Sequence, residues 1–123
     1  MKKILIISVI LLLAGCAKSN DIICERNSTD DYAYQEKVIA TLDGDNIKSI
    51  KDELTFDKKE EASLYCESLK SYKAYYDSKL DYECTKKKIT INNFELLIEV
   101  DDIIGGSKED FISLMTDNKY ACK

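Results

Sequence analysis

The 123-residue chain has no histidine, no proline and no tryptophan. Without histidine it lacks the commonest general base and the usual zinc ligand. Ser–His–Asp and Cys–His catalytic arrangements are therefore excluded. Basic residues are also in the minority, with 18 Lys and Arg against 23 Asp and Glu. Lys2 and Lys3 fall within the first fifteen residues. The remainder has 16 basic residues against 23 acidic, a net charge near −7. Phosphate backbones need clustered Lys and Arg, so nucleic acid is a poor partner. The one basic run, Lys86-Lys87-Lys88, reads as a solvated turn.

Long apolar runs are scarce too. Ile4 to Leu13 is the single example, interrupted only by Ser8. It is too short to span a bilayer, which needs roughly 20 apolar residues. Met1-Lys2-Lys3 before it and Leu13-Ala14-Gly15 after it complete the three-part layout of a secretion signal. Cys16 sits at the junction, and Leu-Ala-Gly-Cys resembles the lipobox of bacterial lipoproteins. That likeness implies a signal over residues 1–15 and a lipid on the Cys16 thiol. Multiple acyl chains anchor firmly, so the domain should sit on the outer face of a bacterial membrane. That is the cell surface, or the periplasmic side if the host has an outer membrane. The polar stretch 16–31 reads as a flexible tether, and residues 32–123 as one small domain.

Four further cysteines, Cys24, Cys66, Cys84 and Cys122, are an even number in an exported domain, which predicts two disulfides. No Cys-x-x-Cys spacing supports zinc. Cys66 lies about eleven residues up a helix from the chain reversal near Asp77, roughly 16 Å. Cys84 lies about five residues along the following strand, roughly 17 Å. Their similar heights predict Cys66–Cys84, which leaves Cys24–Cys122.

Residues 32–42 alternate, with Tyr32, Tyr34, Val38, Ala40 and Leu42 on one parity. Asp43-Gly44-Asp45-Asn46 is a turn signal that lacks the remaining ligands of a calcium loop. In the strand at 47–56, Ile50, Leu54 and Phe56 share a parity. Asp57 and Glu60 form a capping-box pattern before a helix with Ala62, Tyr65, Leu69, Tyr72 and Tyr76 on its apolar stripe. Leu80, Tyr82 and Cys84 alternate as a strand. Ile89 and Ile91 continue in strand fashion, and Phe94, Leu96, Ile98 and Val100 follow on the opposite parity. The change at Asn92-Asn93 marks a β-bulge or a hairpin turn. Ser107 caps a short helix with Phe111, Leu114 and Met115 on its apolar face. The order predicts an α+β fold, a mainly antiparallel sheet of about four strands with one long amphipathic helix and a short C-terminal helix.

The stretch Lys37 to Asp45, continuing through Phe56-Asp57-Lys58-Lys59-Glu60-Glu61-Ala62 to Tyr65 and Tyr72, resembles the YehR-like small bacterial lipoproteins across most of residues 32–104. The four cysteines after Cys16 and the ending Asn118–Lys123 depart from that pattern. The family has no established activity, so the resemblance implies a lipidated α+β domain and no site.

A possible binding surface comprises Tyr75, the one exposed member of the tyrosine cluster, with Glu95, Glu99, Asp101 and Asp102 as an acidic strand end. Nothing calls for a cofactor or metal, and the sequence points away from an enzyme. The expectation is an envelope lipoprotein that binds another envelope protein, a peptide or a glycan. An accessory structural lipoprotein without a specific ligand is the alternative, and a carboxylate-based hydrolase a weaker one.

Overall fold

The computed structural model describes residues 21–29 and 31–123. Residues 1–20, which include the segment read as a signal, Cys16 and the start of the segment read as a tether, lie outside them. The described chain is α+β, with two helices on one face of a single antiparallel sheet. Strands β1 (Ile22–Ser28), β2 (Tyr34–Asp43) and β3 (Asn46–Phe56) form a meander. Helix α1 (Lys59–Tyr75) follows, then β4 (Tyr82–Cys84) and β5 (Lys88–Ile91). A 3-10 turn at Phe94–Leu97, helix α2 (Lys108–Asp117) and β6 (Ala121–Cys122) complete the chain. The spatial order is β4-β5-β3-β2-β1-β6.

The sheet has six strands where the sequence pattern indicates about four. One additional strand, β1, occupies most of the segment read as a tether. It pairs with β2 along its whole length, from Ile22↔Ala40 to Ser28↔Tyr34. Ile22 and Cys24 are buried in the core. Asn27 and Glu25 lie on the opposite, open face, and their polarity gives the segment its tether-like composition. The other, β6, is two residues long and pairs Cys122 with Cys24.

Alternation fixes which face each strand buries. Ile22 and Cys24, Val38 and Ala40, Ile50, Leu54 and Phe56, and Ile89 and Ile91 all point to the helices. They form two apolar clusters. Phe111 and Met115 of α2 cap the first, around Ile22, Val38 and Ile50. Ala62 and Leu69 of α1 cap the second, around Leu54, Phe56, Leu80 and Ile89.

Three local expectations are corrected. Asp57 does not cap α1. Lys58 is the N-cap residue and makes no side-chain cap bond. The Asp57 backbone N–H instead donates to Ala33 O, and Glu61 Oε1 accepts from Ala33 N at 3.0 Å, tying the helix start to the β1–β2 connection. Tyr76 is not a core residue. The helix ends at Tyr75, so Tyr76 leaves the stripe and is 62 % exposed. Residues 94–100 form neither a bulged strand nor a hairpin. Asn93 Oδ1 accepts from Asp81 N at 2.8 Å, and its Nδ2 donates to Lys79 O at 3.0 Å, which draws the chain off the sheet. Phe94, Ile98 and Ile103 then pack on the first core cluster. The chain regains the sheet where Ile47 N donates to Gly106 O. The apolar spacing of this segment reflects irregular packing and not strand pairing.

The structure joins Cys24 to Cys122 and Cys66 to Cys84, the same pairs that helix and strand lengths give. Such bridges belong to oxidising compartments, so the domain works outside the reducing cytoplasm. Among the described residues no helix is long and apolar enough to cross a membrane.

The C-terminus of α1 closes through Ser78 N donating to Lys73 O and Asp77 N donating to Ala74 O. This motif wants a left-handed residue, usually glycine, at the place Asp77 holds with φ 49°. Asp77 also puts negative charge at the negative end of the helix dipole. Asp77→Gly should therefore raise stability by about 1 kcal/mol in urea denaturation. The two bridges span 98 and 18 residues. Chain entropy then assigns roughly 5 kcal/mol to Cys24–Cys122 and roughly 3 kcal/mol to Cys66–Cys84. Paired Cys→Ala variants compared by thermal melting should lose more from the first bridge.

Candidate functional site

The two apolar clusters do not merge, because charged side chains occupy the seam between them. On β2 the inward parity runs Tyr34, Glu36, Val38, Ala40; on β3 it runs Ile50, Asp52, Leu54, Phe56. Glu36 and Asp52 thus take positions that alternation reserves for core residues. They are 4 % and 1 % exposed. Register places Arg26 of β1 directly opposite Glu36. Asp52 lies one pair further along, opposite Val38.

Arg26 Nε donates to Glu36 Oε1 at 3.0 Å. Its Nη1 donates to the backbone oxygen of Asn118, just past α2, at 3.0 Å. Its guanidinium lies 4.3 Å from the centre of the Tyr120 ring, a cation–π contact. One arginine thus links β1, β2, the end of α2 and the segment leading into β6.

Asp52 has no such support. Among the described residues neither of its oxygens meets a donor, and the group beside it is the Glu36 carboxyl, to which only a protonated Asp52 can donate. Burial, and then the carboxyl of Glu36, push its pKa up to about 10. A buried carboxylate without a donor is costly, so at neutral pH Asp52 holds its proton. Glu36 is the carboxylate that Arg26 neutralises. Two acids and one cation then coexist in the seam without net charge. Burial also raises the hydroxyl pKa values of Tyr34, Tyr65 and Tyr120, with Glu36 adding to each, so all three remain protonated donors.

Clefts open on either side of Arg26. The larger, of ≈ 540 Å³, is lined by Arg26, Asn27, Ser28, Thr29, Asp31, Tyr32, Tyr34, Tyr65 and Lys119. Tyr65 packs edge-on against both Tyr32 and Tyr34, with centroids 6.0 and 5.9 Å apart. These interlocked rings form a fixed aromatic wall. The smaller cleft, of ≈ 320 Å³, has Phe94, Ile98, Val100 and Leu114 with Glu99 and Tyr120 around Arg26.

The surface predicted from sequence is dispersed. Tyr75 is 81 % exposed and lines neither cleft. Glu95 lies in the 3-10 turn, half-buried, with Oε1 lacking a partner. Glu99 is on the rim of the smaller cleft. Asp101 and Asp102 edge a separate hollow of ≈ 120 Å³ at the start of α2. They belong to irregular chain and not to a strand end, because the segment leaves the sheet at Asn93. Cys16 lies outside the described residues. Sequence reasoning missed Arg26, Glu36, Asp52 and Lys119. A signal existed for two of them, since Glu36 and Asp52 each interrupt an otherwise apolar parity.

Among the described residues no group of three or more acidic or cysteine side chains is placed to hold a metal. Comparison with protein-family models, with curated proteins and with solved structures finds no match to the chain.

The raised Asp52 pKa has a defined consequence for stability. An unfolded Asp ionises near pH 3.8, whereas the folded one does so near 10. Below the lower value both states hold the proton and the group carries no penalty. As pH rises between them the unfolded state alone loses its proton, so stability falls, by up to about 1.4 kcal/mol per pH unit. Urea midpoints measured from pH 5 to 8 should decline for the native protein. In Asp52→Asn that decline should be much reduced. Parallel slopes for the two proteins would show that Asp52 ionises normally.

Proposed function

We propose that the chain is an exported bacterial lipoprotein, anchored through Cys16, whose domain acts by binding a ligand in the tyrosine-walled cleft beside Arg26. The observation that carries this reading is the cleft. It combines a fixed aromatic wall, hydroxyl groups and two cationic side chains within ≈ 540 Å³, a size usual for ligand sites. The resemblance to YehR-like lipoproteins belongs to the same proposal, through the lipobox, the Asp43–Asn46 turn and the tyrosine-rich helix.

Topology gives the anchor a direction. Strand β1 begins at Ile22, so only residues 17–21 separate it from Cys16. Even fully extended, those residues reach about 18 Å. The Ile22 end of the sheet then faces the membrane. Ser28 and its partner Tyr34 lie at the other end, roughly 20 Å further out along β1, with Arg26 about 13 Å out. A cleft held away from the lipid suits a partner in the space above the membrane. Chemistry at the paired carboxyls is disfavoured, because Glu36 and Asp52 are too deeply buried to touch a substrate.

Two measurements in the native host test the reading. An alkyne fatty acid should label the full-length protein and leave Cys16→Ala unlabelled and released from the membrane fraction. A photo-crosslinking residue at Thr29, on the cleft, should capture a defined envelope component that the same residue at Thr90, on the open face of the sheet, does not. Identical capture from both positions would defeat the binding reading, and labelling of Cys16→Ala would defeat the anchor.

A further inference from the structure

We infer that the cleft at the membrane-distal end of β1 binds an acidic sugar, with the sugar carboxylate between Arg26 and Lys119 and its ring against Tyr65 and Tyr34. This rests on the binding reading above and names the ligand class.

The anion specificity comes from unused donors. A guanidinium carries five N–H groups. Nε serves Glu36 and one Nη1 hydrogen serves Asn118 O. Three hydrogens remain on a side chain that is 35 % exposed at the cleft wall. Arginine presents such hydrogens in a planar fork that matches a carboxylate. Lys119 supplies the second cation. It lines the same cleft, is exposed, and makes no ion pair with any described residue. Its backbone sits at φ 73°, held by its N–H donating to Thr116 O, which fixes the place from which its side chain starts. Asp31 is the one acid among the described residues of the lining, and Glu36 behind Arg26 is taken up by its Nε.

The sugar specificity comes from the wall. Tyrosine rings offer an apolar face to the C–H side of a pyranose and a hydroxyl to its edge. Edge-to-face packing of Tyr65 on Tyr32 and Tyr34 holds the rings in place, which lowers the ordering cost of binding. Hydroxyl groups of Ser28 and Thr29 complete the lining. That supply of neutral hydrogen-bonding groups suits a polyhydroxylated ligand better than an apolar side chain. The distance from the anchor argues against a lipid headgroup.

N-acetylmuramic acid and N-acetylglucosamine differ by one carboxylate-bearing ether and make a matched pair of probes. The full-length lipidated protein in detergent micelles would be titrated with each and followed by amide NMR shifts. The acidic sugar should shift Ser28, Tyr34 and Lys119 and bind roughly five-fold tighter than the neutral one, the scale of one exposed ion pair. Lys119→Gln should abolish that preference, and Thr29→Glu, another exposed change, should weaken the acidic sugar selectively. Far-UV circular dichroism would verify that both variants are folded. Equal affinity for the two sugars, no shifts at the cleft up to the solubility limit, or larger shifts from an acidic dipeptide would each overturn the inference. If position 29 still crosslinks an envelope component in any of those cases, the binding reading stands and only the ligand class falls.

Discussion

The ion pair between Arg26 and Glu36, with protonated Asp52 alongside, is the constraint around which the domain is arranged. It sits where two apolar clusters would otherwise fuse, on the inward face of the three longest strands. Each acid is there because a strand has period two and the residue falls on the buried parity. Burying charge in a small domain is costly, and replacing such a pair with apolar residues is often neutral or favourable. Its retention has a structural correlate here. Arg26 is the one side chain that holds β1, β2, the end of α2 and Tyr120 together. It also lines the clefts on both sides of the seam. The interior charge and the surface hollows are parts of one arrangement.

The covalent links complement this arrangement. Cys24–Cys122 joins the first strand to the last and closes nearly the whole described chain. Cys66–Cys84 holds α1 to the edge strand β4, away from the seam. A domain of this size buries too little apolar surface to tolerate a charged seam easily. The bridges restrict the unfolded chain and offset part of that cost. They also leave the tyrosine wall on a rigid support, since Tyr34 is on β2 and Tyr65 is on the helix that the second bridge ties down.

The topology gives the domain a polarity that composition does not reveal. The β2–β3 turn, the start of α2 and the acidic residues Asp101 and Asp102 gather at the end nearest Ile22. The aromatic wall gathers at the end of Ser28, Tyr34 and Phe56. In the proposed lipoprotein the short connection to Cys16 converts that difference into near and far sides relative to the membrane.

The sequence by itself determined what depends on neighbouring residues. Alternation in 34–43 and 46–56, the turn at Asp43–Asn46, the α1 stripe and the Ser107 cap are each decided within a few residues. Ser107 Oγ indeed accepts from Asp110 N at 3.1 Å. The cysteine pairing was legible too, because the lengths of one helix and one strand suffice to set Cys66 beside Cys84. Tertiary structure alone decided the rest. Strand β1 has too polar a composition to announce itself and exists because β2 offers it a ladder of partners. Residues 94–100 alternate like a strand, yet Asn93 turns the chain toward Lys79 and Asp81 and away from the sheet. The acids at 36 and 52 stand out in the sequence as gaps in an apolar parity. Their meaning depends on Arg26 arriving from another strand, and only the register of three strands brings that about.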